Sequence, residues 1–309
     1  MRAKEAAEDI ASMRVRGAAE LARHAAEGLR GEALAYEGHD LNALRALLDD
    51  GRHQLIQARP TAVSLTNAVA YALKDADKAT SAQELRLLVS GNAEAFIKRS
   101  REALKTIGQL GANRIRDGDL VMTHCNSKAA LSAIIAAHEQ GKDIHVLATE
   151  SRPWRQGLLT AKDLHQAGVP VELIIDSAVR SMMNKVDVVV VGADTIASNG
   201  ALINKIGTAQ VALAAHEARV PFVVCAETFK FSPRTVSGEL VNIEERGAAE
   251  IVKEGELPPG VRVRNPVFDA TPAEYIDCIV TEIGVIPPCA AYEVIIREFG
   301  QEKFFSSEG

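Results

Sequence analysis

The stretch VDVVVVGADTIASNGALINKIG, residues 186–207, decides the fold predicted for this chain. Its first part, Val186 to Val191, is rich in valine, which is typical of a strand buried on both faces of a sheet. Gly192 ends that strand, and Asp194 follows it. Because ligands of open parallel sheets bind beyond the carboxyl ends of the strands, this position predicts a functional role for Asp194.

The second part of the same stretch suits an anionic ligand. Residues 198–200, Ser-Asn-Gly, predict a turn. Asn204, Lys205 and Gly207 are then expected to open a helix that runs to Glu217. An amide, a lysine and free backbone N–H groups at a helix start favour a group such as phosphate. The alternative is a capped helix with a solvated lysine, but carboxylate, amide and lysine fall in one short stretch, which favours a site.

Outward from this stretch, the chain shows two patterns. From about residue 118, strands alternate with helices over short connections, which predicts a parallel, doubly wound sheet. Residues 1–110 are rich in alanine, with helical periodicity and glycine or proline breaks. We therefore expect an N-terminal all-helical domain, 1–110, and an α/β catalytic domain, 111–309. The helices expected in the first domain lie near residues 2–13, 17–30, 40–57, 62–77 and 81–108.

The composition excludes several classes of protein. The chain has 309 residues, of which 47% are hydrophobic and 25% charged, as in ordinary globular proteins. Its formal net charge of -6 argues against nonspecific nucleic-acid binding. No apolar run approaches the roughly 20 residues of a membrane span and the N-terminus has no apolar signal core, so we expect a cytoplasmic protein. The cysteines lack the spacing of metal ligands, so no metal site is expected.

A second candidate centre is the stretch THCNSKAA, residues 123–130. Cys125 stands where a strand passes into a helix, and the N–H groups and dipole of a helix start lower a thiol pKa below its free value of about 8.5. Lys128 adds positive charge, so a thiolate here could act as a nucleophile or a base. Cysteine is also a common buried residue, which suffices to explain the other three cysteines. His124 is expected to face the opposite side of its strand and is given no role.

Cys125 and Asp194 both follow predicted parallel strands and can therefore face one crevice. Burial after a β-branched strand is expected to raise the pKa of the Asp194 carboxyl and keep it protonated near neutral pH. A thiolate and a protonated carboxyl supply a base and an acid at the same pH. This pairing suits proton transfer between adjacent carbons.

Further cations stand where an anionic substrate would need them. Lys230, in the stretch ETFKF, follows another predicted strand at the same sheet edge. Arg16 precedes Gly17 at a fresh helix start, and Arg59 precedes a second helix start. Small residues at a helix start let an anion approach the backbone, and an arginine adds bidentate donors. A solvated surface side chain is the alternative for each, and the better one for a single arginine alone.

A series of motifs, in this order along nearly the whole chain, resembles one superfamily: RGAA, RPTAVSL, THCNSKAA, SRPWRQG, GADTIASNGALINKIGT and AETFKF. That superfamily contains ribose-1,5-bisphosphate isomerase, methylthioribose-1-phosphate isomerase and the alpha, beta and delta regulatory subunits of translation initiation factor 2B. The form HCNSKAA and the ending VTEIGVIPPCAAYEVIIREFG most resemble the archaeal ribose-1,5-bisphosphate isomerase branch. Regulatory subunits generally lack the Cys and Asp pair that is present here.

The resemblance implies an N-terminal helical domain and a Rossmann-like domain with a mainly parallel sheet, in homodimers that build a homohexamer. It also implies Cys125 as the catalytic base and Asp194 as the catalytic acid, with no metal and no organic cofactor. The substrate-binding residues implied in the same way are Arg16, Gly17, Ala18, Ala19, Arg59, Ser127, Lys128, Ala129, Asn204, Lys205 and Lys230.

The function predicted from this resemblance is aldose–ketose isomerisation of ribose 1,5-bisphosphate to ribulose 1,5-bisphosphate, in archaeal degradation of AMP and other nucleoside monophosphates. The expected partner is a small sugar bisphosphate, with no nucleic acid and no membrane. Two alternatives stay open: a methylthioribose-1-phosphate isomerase, and a non-catalytic regulatory subunit of translation initiation.

Overall fold

The computed structural model describes residues 1–235 and 243–300 of the chain. The chain divides into two compact units, Met1–Ala103 and Leu104–Gly309. The division falls inside one long helix, Ala82–Ala112, whereas the alanine periodicity places the predicted domain boundary after residue 110, near the end of that helix. Residues 236–242 and 301–309 of the predicted catalytic domain lie outside the described residues.

The first unit, all of which is described, consists of helices and turns without a strand. Its helices bury small and aliphatic residues at helical spacing, and in the second helix Ala22, Ala25, Ala26, Leu29 and Ala33 are all fully buried. The five predicted helices are therefore confirmed, within a few residues at their ends. They are α1 (Ala3–Ala11), α2 (Ala18–Ala35), α3 (Leu41–Ala58), α4 (Val63–Ala72) and the first part of α5 (Ala82–Ala112).

The second unit alternates strands and helices, as predicted. Its strands are β1 (Leu120–Thr123), β2 (His145–Thr149), β3 (Val171–Ile174), β4 (Val188–Gly192), β5 (Thr195–Ile196), β6 (Leu202–Lys205), β7 (Phe222–Cys225), β8 (Phe268–Thr271), β9 (Cys278–Thr281) and β10 (Gly284–Ile286). Its helices are α6 (Lys128–Glu139), α7 (Gly157–Gln166), α8 (Val179–Met182), α9 (Thr208–Ala218) and α10 (Ala291–Phe299).

The main sheet of the second unit has the strand order β10-β9-β7-β4-β1-β2-β3, and only β10 runs antiparallel to its neighbour. The predicted mainly parallel, doubly wound sheet is thus confirmed. Along β4, Val189 and Val191 pack into one core with α8, α9 and α10, while Val188 and Val190 pack into another with α6, α7 and the end of α5. Burial on both faces explains why this strand reads as a continuous valine run.

A small antiparallel sheet, in the order β5-β6-β8, lies beyond the carboxyl end of β4 and was not predicted as a sheet. The prediction that Asn204 and Lys205 open a helix is wrong, because both belong to β6, which pairs with β5 on one side and β8 on the other. The helix begins only at Thr208, after Gly207 has taken a φ of 101° that favours glycine. No helix among the described residues combines the length and apolarity that crossing a bilayer requires.

Candidate active site

Cys125 and Asp194 stand beyond the carboxyl ends of two strands that pair directly in the main sheet. Cys125 follows β1 and Asp194 follows β4, and the two strands pair in parallel at Val121 and Val188. The Asp194 carboxylate and the Lys205 ammonium both act electrostatically on the Cys125 thiol. The structure therefore brings together the two residues predicted as base and acid, with one predicted phosphate ligand beside them.

Gly192 lets the end of β4 meet the start of α6. A Cβ at Gly192 would lie 2.0 Å from Oγ of Ser127, so any side chain there would force the two apart. Ser127 is the N-cap of α6, and its Oγ accepts a hydrogen bond from the Ala130 N–H. Ala129 is buried in the first turn of the same helix. The glycine thus sets how closely Asp194 and the cysteine loop can approach each other.

The backbone of Cys125 is held in an uncommon conformation. Its φ is 70°, a value that costs a non-glycine residue free energy and is often found at functional sites. Its N–H donates to Oγ of Ser151 at 2.7 Å, and its carbonyl accepts from the Thr160 hydroxyl at 2.7 Å. Two buried hydroxyl groups therefore fix the peptide groups on both sides of the thiol.

His124, which was given no role, is the centre of that support. It is buried, and its Nε2 donates to the Ile206 carbonyl at 2.9 Å, so Nδ1 accepts from the Thr149 hydroxyl at 2.6 Å. Burial lowers the pKa of the imidazole and keeps it neutral. A Cβ at Gly207 would lie 3.0 Å from Cε1 of the same ring. The ring therefore ties the cysteine loop to the segment that follows Lys205. The sequence feature that could have indicated a role for His124 is its position as a polar residue at the end of a buried strand.

The thiol of Cys125 has a pKa raised to about 11, because burial disfavours its charged form. The Lys205 ammonium lowers that pKa, and the Asp194 carboxylate raises it. The prediction of a lowered thiol pKa is therefore wrong, since the loss of water around the sulfur outweighs the nearby positive charge. At neutral pH the resting group is a thiol.

Lys128 does not supply charge to the thiol through its ammonium group. Its Nζ lies 2.8 Å from Oδ2 of Asp163, and Asn126 donates to the same oxygen at 3.2 Å. Burial raises the pKa of the Asp163 carboxyl, but these two donors outweigh it and lower the pKa overall. The expectation that Lys128 adds positive charge at Cys125 is therefore wrong. Its ammonium group pairs with Asp163 in α7, and Lys205 supplies the positive charge that acts on the thiol.

The start of α9 is already occupied by a carboxylate of the chain. Asp269 accepts hydrogen bonds from the N–H groups of Gly207 at 2.7 Å and Ala209 at 3.2 Å. Burial raises its pKa to about 6 against the opposite effect of these N–H groups and of Lys205. The prediction of free N–H groups at this helix start is therefore wrong. Asn204 is also engaged, since its Nδ2 donates to the Thr208 hydroxyl at 3.1 Å.

Lys205, by contrast, has an ammonium group that no carboxylate among the described residues pairs with. The residue is 5% exposed, and its Nζ lies 5.0 Å from the centroid of the Phe268 ring. Among residues 1–235 and 243–300, no side chain forms an ion pair with this ammonium. A buried ammonium without a carboxylate partner is costly for folding and well suited to an anion.

Lys230 lies in the turn that follows β7 and is 4% exposed. Its Nζ lies 2.7 Å from Oε2 of Glu227, which is fully buried. Phe231 forms a bridge with Ile196, so this turn runs beside the segment that carries Asp194. The predicted position of Lys230 at the same edge as Asp194 therefore agrees with the structure, and its pairing with Glu227 was missed.

The remaining predicted residues lie in the first unit and converge on Met13. Arg16 donates through Nε to the Met13 carbonyl at 3.0 Å, and Nη1 of Arg59 lies 3.5 Å from the Met13 sulfur. Gly17, with a φ of 86°, is the N-cap of α2, and no side chain in the described part of the chain caps this helix start, to which residues 18–19 belong. Both arginines therefore contact Met13, which lies four residues before the N-cap of α2, and guanidinium groups and helix starts are the donors that anion sites use.

Comparison with known proteins gives matches along nearly the whole chain. The model of the Initiation factor 2 subunit family matches residues 14–288. A ribose 1,5-bisphosphate isomerase of Archaeoglobus fulgidus is 56% identical over 298 residues, which is 96% of this chain and 93% of that protein. A methylthioribose-1-phosphate isomerase of Gemmatimonas aurantiaca is 39% identical over 92% of this chain and 85% of that protein.

A solved structure of the same family has a similar fold over nearly the whole chain. The translation initiation factor eIF-2B of Pyrococcus horikoshii OT3 matches with a TM-score of 0.81 at 32% identity, over 93% of this chain and 97% of that chain. The sequence and structure comparisons therefore extend across both units.

Proposed function

The chain belongs to the Initiation factor 2 subunit family, and we propose that within this family it is an enzyme, a ribose 1,5-bisphosphate isomerase. The observation that carries this proposal is the 56% identity, over 96% of the chain, to an isomerase of that name. The superfamily predicted from the motifs is thereby confirmed. Identity to the methylthioribose-1-phosphate isomerase is lower, at 39%. The paired strand ends that carry Cys125 and Asp194 support a catalytic protein rather than a regulatory one.

The proposed reaction moves a hydrogen between two carbons. Because C1 carries a phosphate, the sugar has no free aldehyde and its ring must open first. Asp194 protonates the ring oxygen while the bond from C1 to that oxygen breaks. Cys125, as a thiolate, removes the proton from C2, and the resulting enol takes that proton back at C1. The C2 hydroxyl returns a proton to Asp194 and becomes the ketone, so that protons and electrons balance.

Each of the two units, taken by itself, carries cations and a helix start suited to phosphate. We propose that Lys205 and the start of α6, at Ser127, Lys128 and Ala129, bind one phosphate group. Arg16, Arg59 and the uncapped start of α2 form a second cluster suited to phosphate. Fixed donors of this kind orient the sugar and stabilise developing charge. The steps as written need no metal and no organic cofactor.

We propose that the protein acts in the cytoplasm on nucleotide-derived sugar bisphosphates, and that it assembles as homodimers that build a homohexamer. Sedimentation of the purified protein tests the assembly, and a mass of one chain would contradict it.

The test of function is turnover by the purified protein. Ribose 1,5-bisphosphate, methylthioribose 1-phosphate and ribose 5-phosphate are supplied separately, and ketose formation is followed. We expect turnover of the bisphosphate and little of the monophosphates. Cys125→Ser and Asp194→Asn should each lower turnover at least about 10²-fold, the usual scale for a general acid or base. Equal rates on a monophosphate would refute the proposed substrate.

A further inference from the structure

Glu227 is a buried carboxylate whose capacity to accept hydrogen bonds is unused by residues 1–235 and 243–300. The residue is fully buried, and Lys230 Nζ approaches one oxygen to 2.7 Å. Neither oxygen receives a hydrogen bond of proper direction from the described residues. Most buried polar atoms of native proteins have such partners, so each exception needs an explanation.

Hydrogen bonds hold the turn that carries Glu227 in place, so the turn cannot easily move to bring donors to the Glu227 carboxylate. Thr228 donates to the Glu282 carboxylate through its N–H at 3.0 Å and through its hydroxyl at 2.5 Å. The Lys230 N–H donates to the Glu227 carbonyl at 3.0 Å. The carboxylate is therefore held in place with acceptor sites unfilled, as expected of a preorganised binding group.

This carboxylate lies at the same level of the sheet edge as Asp194. In the parallel pairing of β4 with β7, Gly192 is opposite Cys225, and Asp194 and Glu227 each follow two residues later. Neighbouring strands are about 4.8 Å apart, so the two residues continue adjacent strands into the same region. The Ser232 N–H also donates to the Ile196 carbonyl at 2.8 Å, which holds the two segments together.

The charge of the pair indicates what it binds. Because Glu227 neutralises Lys230, the pair offers a donor and an acceptor without net charge, which fits a hydroxyl group better than a phosphate. A hydroxyl oxygen accepts from the ammonium while its proton goes to the carboxylate. In the proposed reaction the C2 hydroxyl becomes a ketone, so the C3 hydroxyl is the one that keeps its O–H proton throughout.

Resting on the proposed isomerase function, we propose that Glu227 and Lys230 bind the C3 hydroxyl of ribose 1,5-bisphosphate. Glu227 accepts the hydroxyl proton and Lys230 donates to the hydroxyl oxygen. This assigns a substrate-binding role to Glu227 and gives Lys230 a hydroxyl rather than a phosphate as its ligand.

The test compares ribose 1,5-bisphosphate with its 3-deoxy analogue. The wild-type enzyme should prefer the hydroxylated substrate by about 10- to 100-fold in kcat/KM, the scale of a charge-assisted hydrogen bond. The double variant Glu227→Met/Lys230→Met removes the pair without leaving a lone buried charge, and its preference should fall to about threefold or less. The matched control is Arg180→Met/Glu217→Met, which removes an exposed pair at 3.1 Å and should keep the full preference.

The outcomes separate the two proposals. If the double variant keeps the wild-type preference, the role of the pair is overturned while the isomerase function stands. If the wild-type enzyme does not turn over ribose 1,5-bisphosphate, the function fails and the hydroxyl assignment fails with it. Should the double variant not fold, Glu227→Gln is measured in the same way. Its preference should fall at least about threefold, because a neutral acceptor binds a hydroxyl more weakly than a carboxylate, and an unchanged preference overturns the proposal.

Discussion

Lys205, at the end of β6, and Lys230, in the turn after β7, are two lysines of the same α/β unit. They are almost equally buried but differ in whether a carboxylate pairs with the ammonium group. They are 5% and 4% exposed, respectively. Lys205 has no ion-pair partner within the described residues, whereas Lys230 is paired with Glu227 at 2.7 Å. A bare buried ammonium retains its attraction for an incoming anion, and a paired one retains only its capacity to donate. The same residue type, beside two different sheets of one unit, is thus suited to two different parts of a sugar phosphate.

Removing Lys230 alone should have the largest effect on stability. Lys230→Met leaves the Glu227 carboxylate buried without a counter-charge, which typically costs about 3–5 kcal/mol in the free energy of unfolding. Chemical denaturation measures this loss. The double variant with Glu227→Met should recover most of it, and equal stability of the single and double variants would contradict the pairing.

Removing Lys205 should instead damage activity. Lys205→Met is expected to lower kcat/KM by about 10²- to 10³-fold, the scale for losing one electrostatic contact to a charged group in a closed site. The midpoint of thermal unfolding should stay the same or rise, because an unpaired buried charge is removed. A variant with normal kcat/KM would break the contrast between the two lysines.

The pH dependence of the rate distinguishes the lysines through Cys125. The proposed reaction needs a Cys125 thiolate together with a protonated Asp194, so the profile is measured in Asp194→Asn, where only the thiol of the pair titrates. If the thiolate is the base, the residual kcat/KM of this variant rises about tenfold per pH unit below the thiol pKa. Lys205 lowers this pKa, so adding Lys205→Met to Asp194→Asn should move the rising limb to higher pH. Adding Lys230→Met should leave the limb where it is. A flat profile in Asp194→Asn would show that Cys125 does not carry the proton, as in a hydride shift.

The smallest effect is expected at Asp269, the carboxylate that Lys205 influences without forming an ion pair with it. Its pKa in the folded protein, about 6, is above the unfolded value of 3.8, so the fold binds this proton more tightly and loses stability as pH rises between these values. Asp269→Asn keeps an acceptor for the N–H groups of α9 and has no charge to bury. Relative to wild type it should gain about 2 kcal/mol in unfolding free energy between pH 4 and pH 7. Denaturation at both pH values measures this, and a constant difference would contradict the raised pKa.

Much of the fold was accessible from local pattern. The valines of β4 report burial on two faces, and the alanine spacing of residues 1–110 reports packed helices. The positions of Cys125 and Asp194 at the ends of parallel strands followed from the sequence, and the structure adds that these two strands pair directly. Their roles as base and acid, and the substrate contacts taken from the motifs, stay predictions.

The sequence by itself therefore determined most element types, the parallel sheet and the family, because periodicity and motifs are local properties. Only the tertiary structure decided the states of the site groups, because these depend on residues distant in the chain. Asp269 caps the N–H of Gly207 from 62 residues away, and His124 donates to the Ile206 carbonyl across 82 residues. Likewise, β6 is a strand because β8 pairs with it, and the Cys125 thiol has a raised pKa because the folded chain removes part of the water around it. A sequence motif identifies a site residue, but the burial of that residue and its hydrogen-bond and charge partners in the fold determine its protonation state.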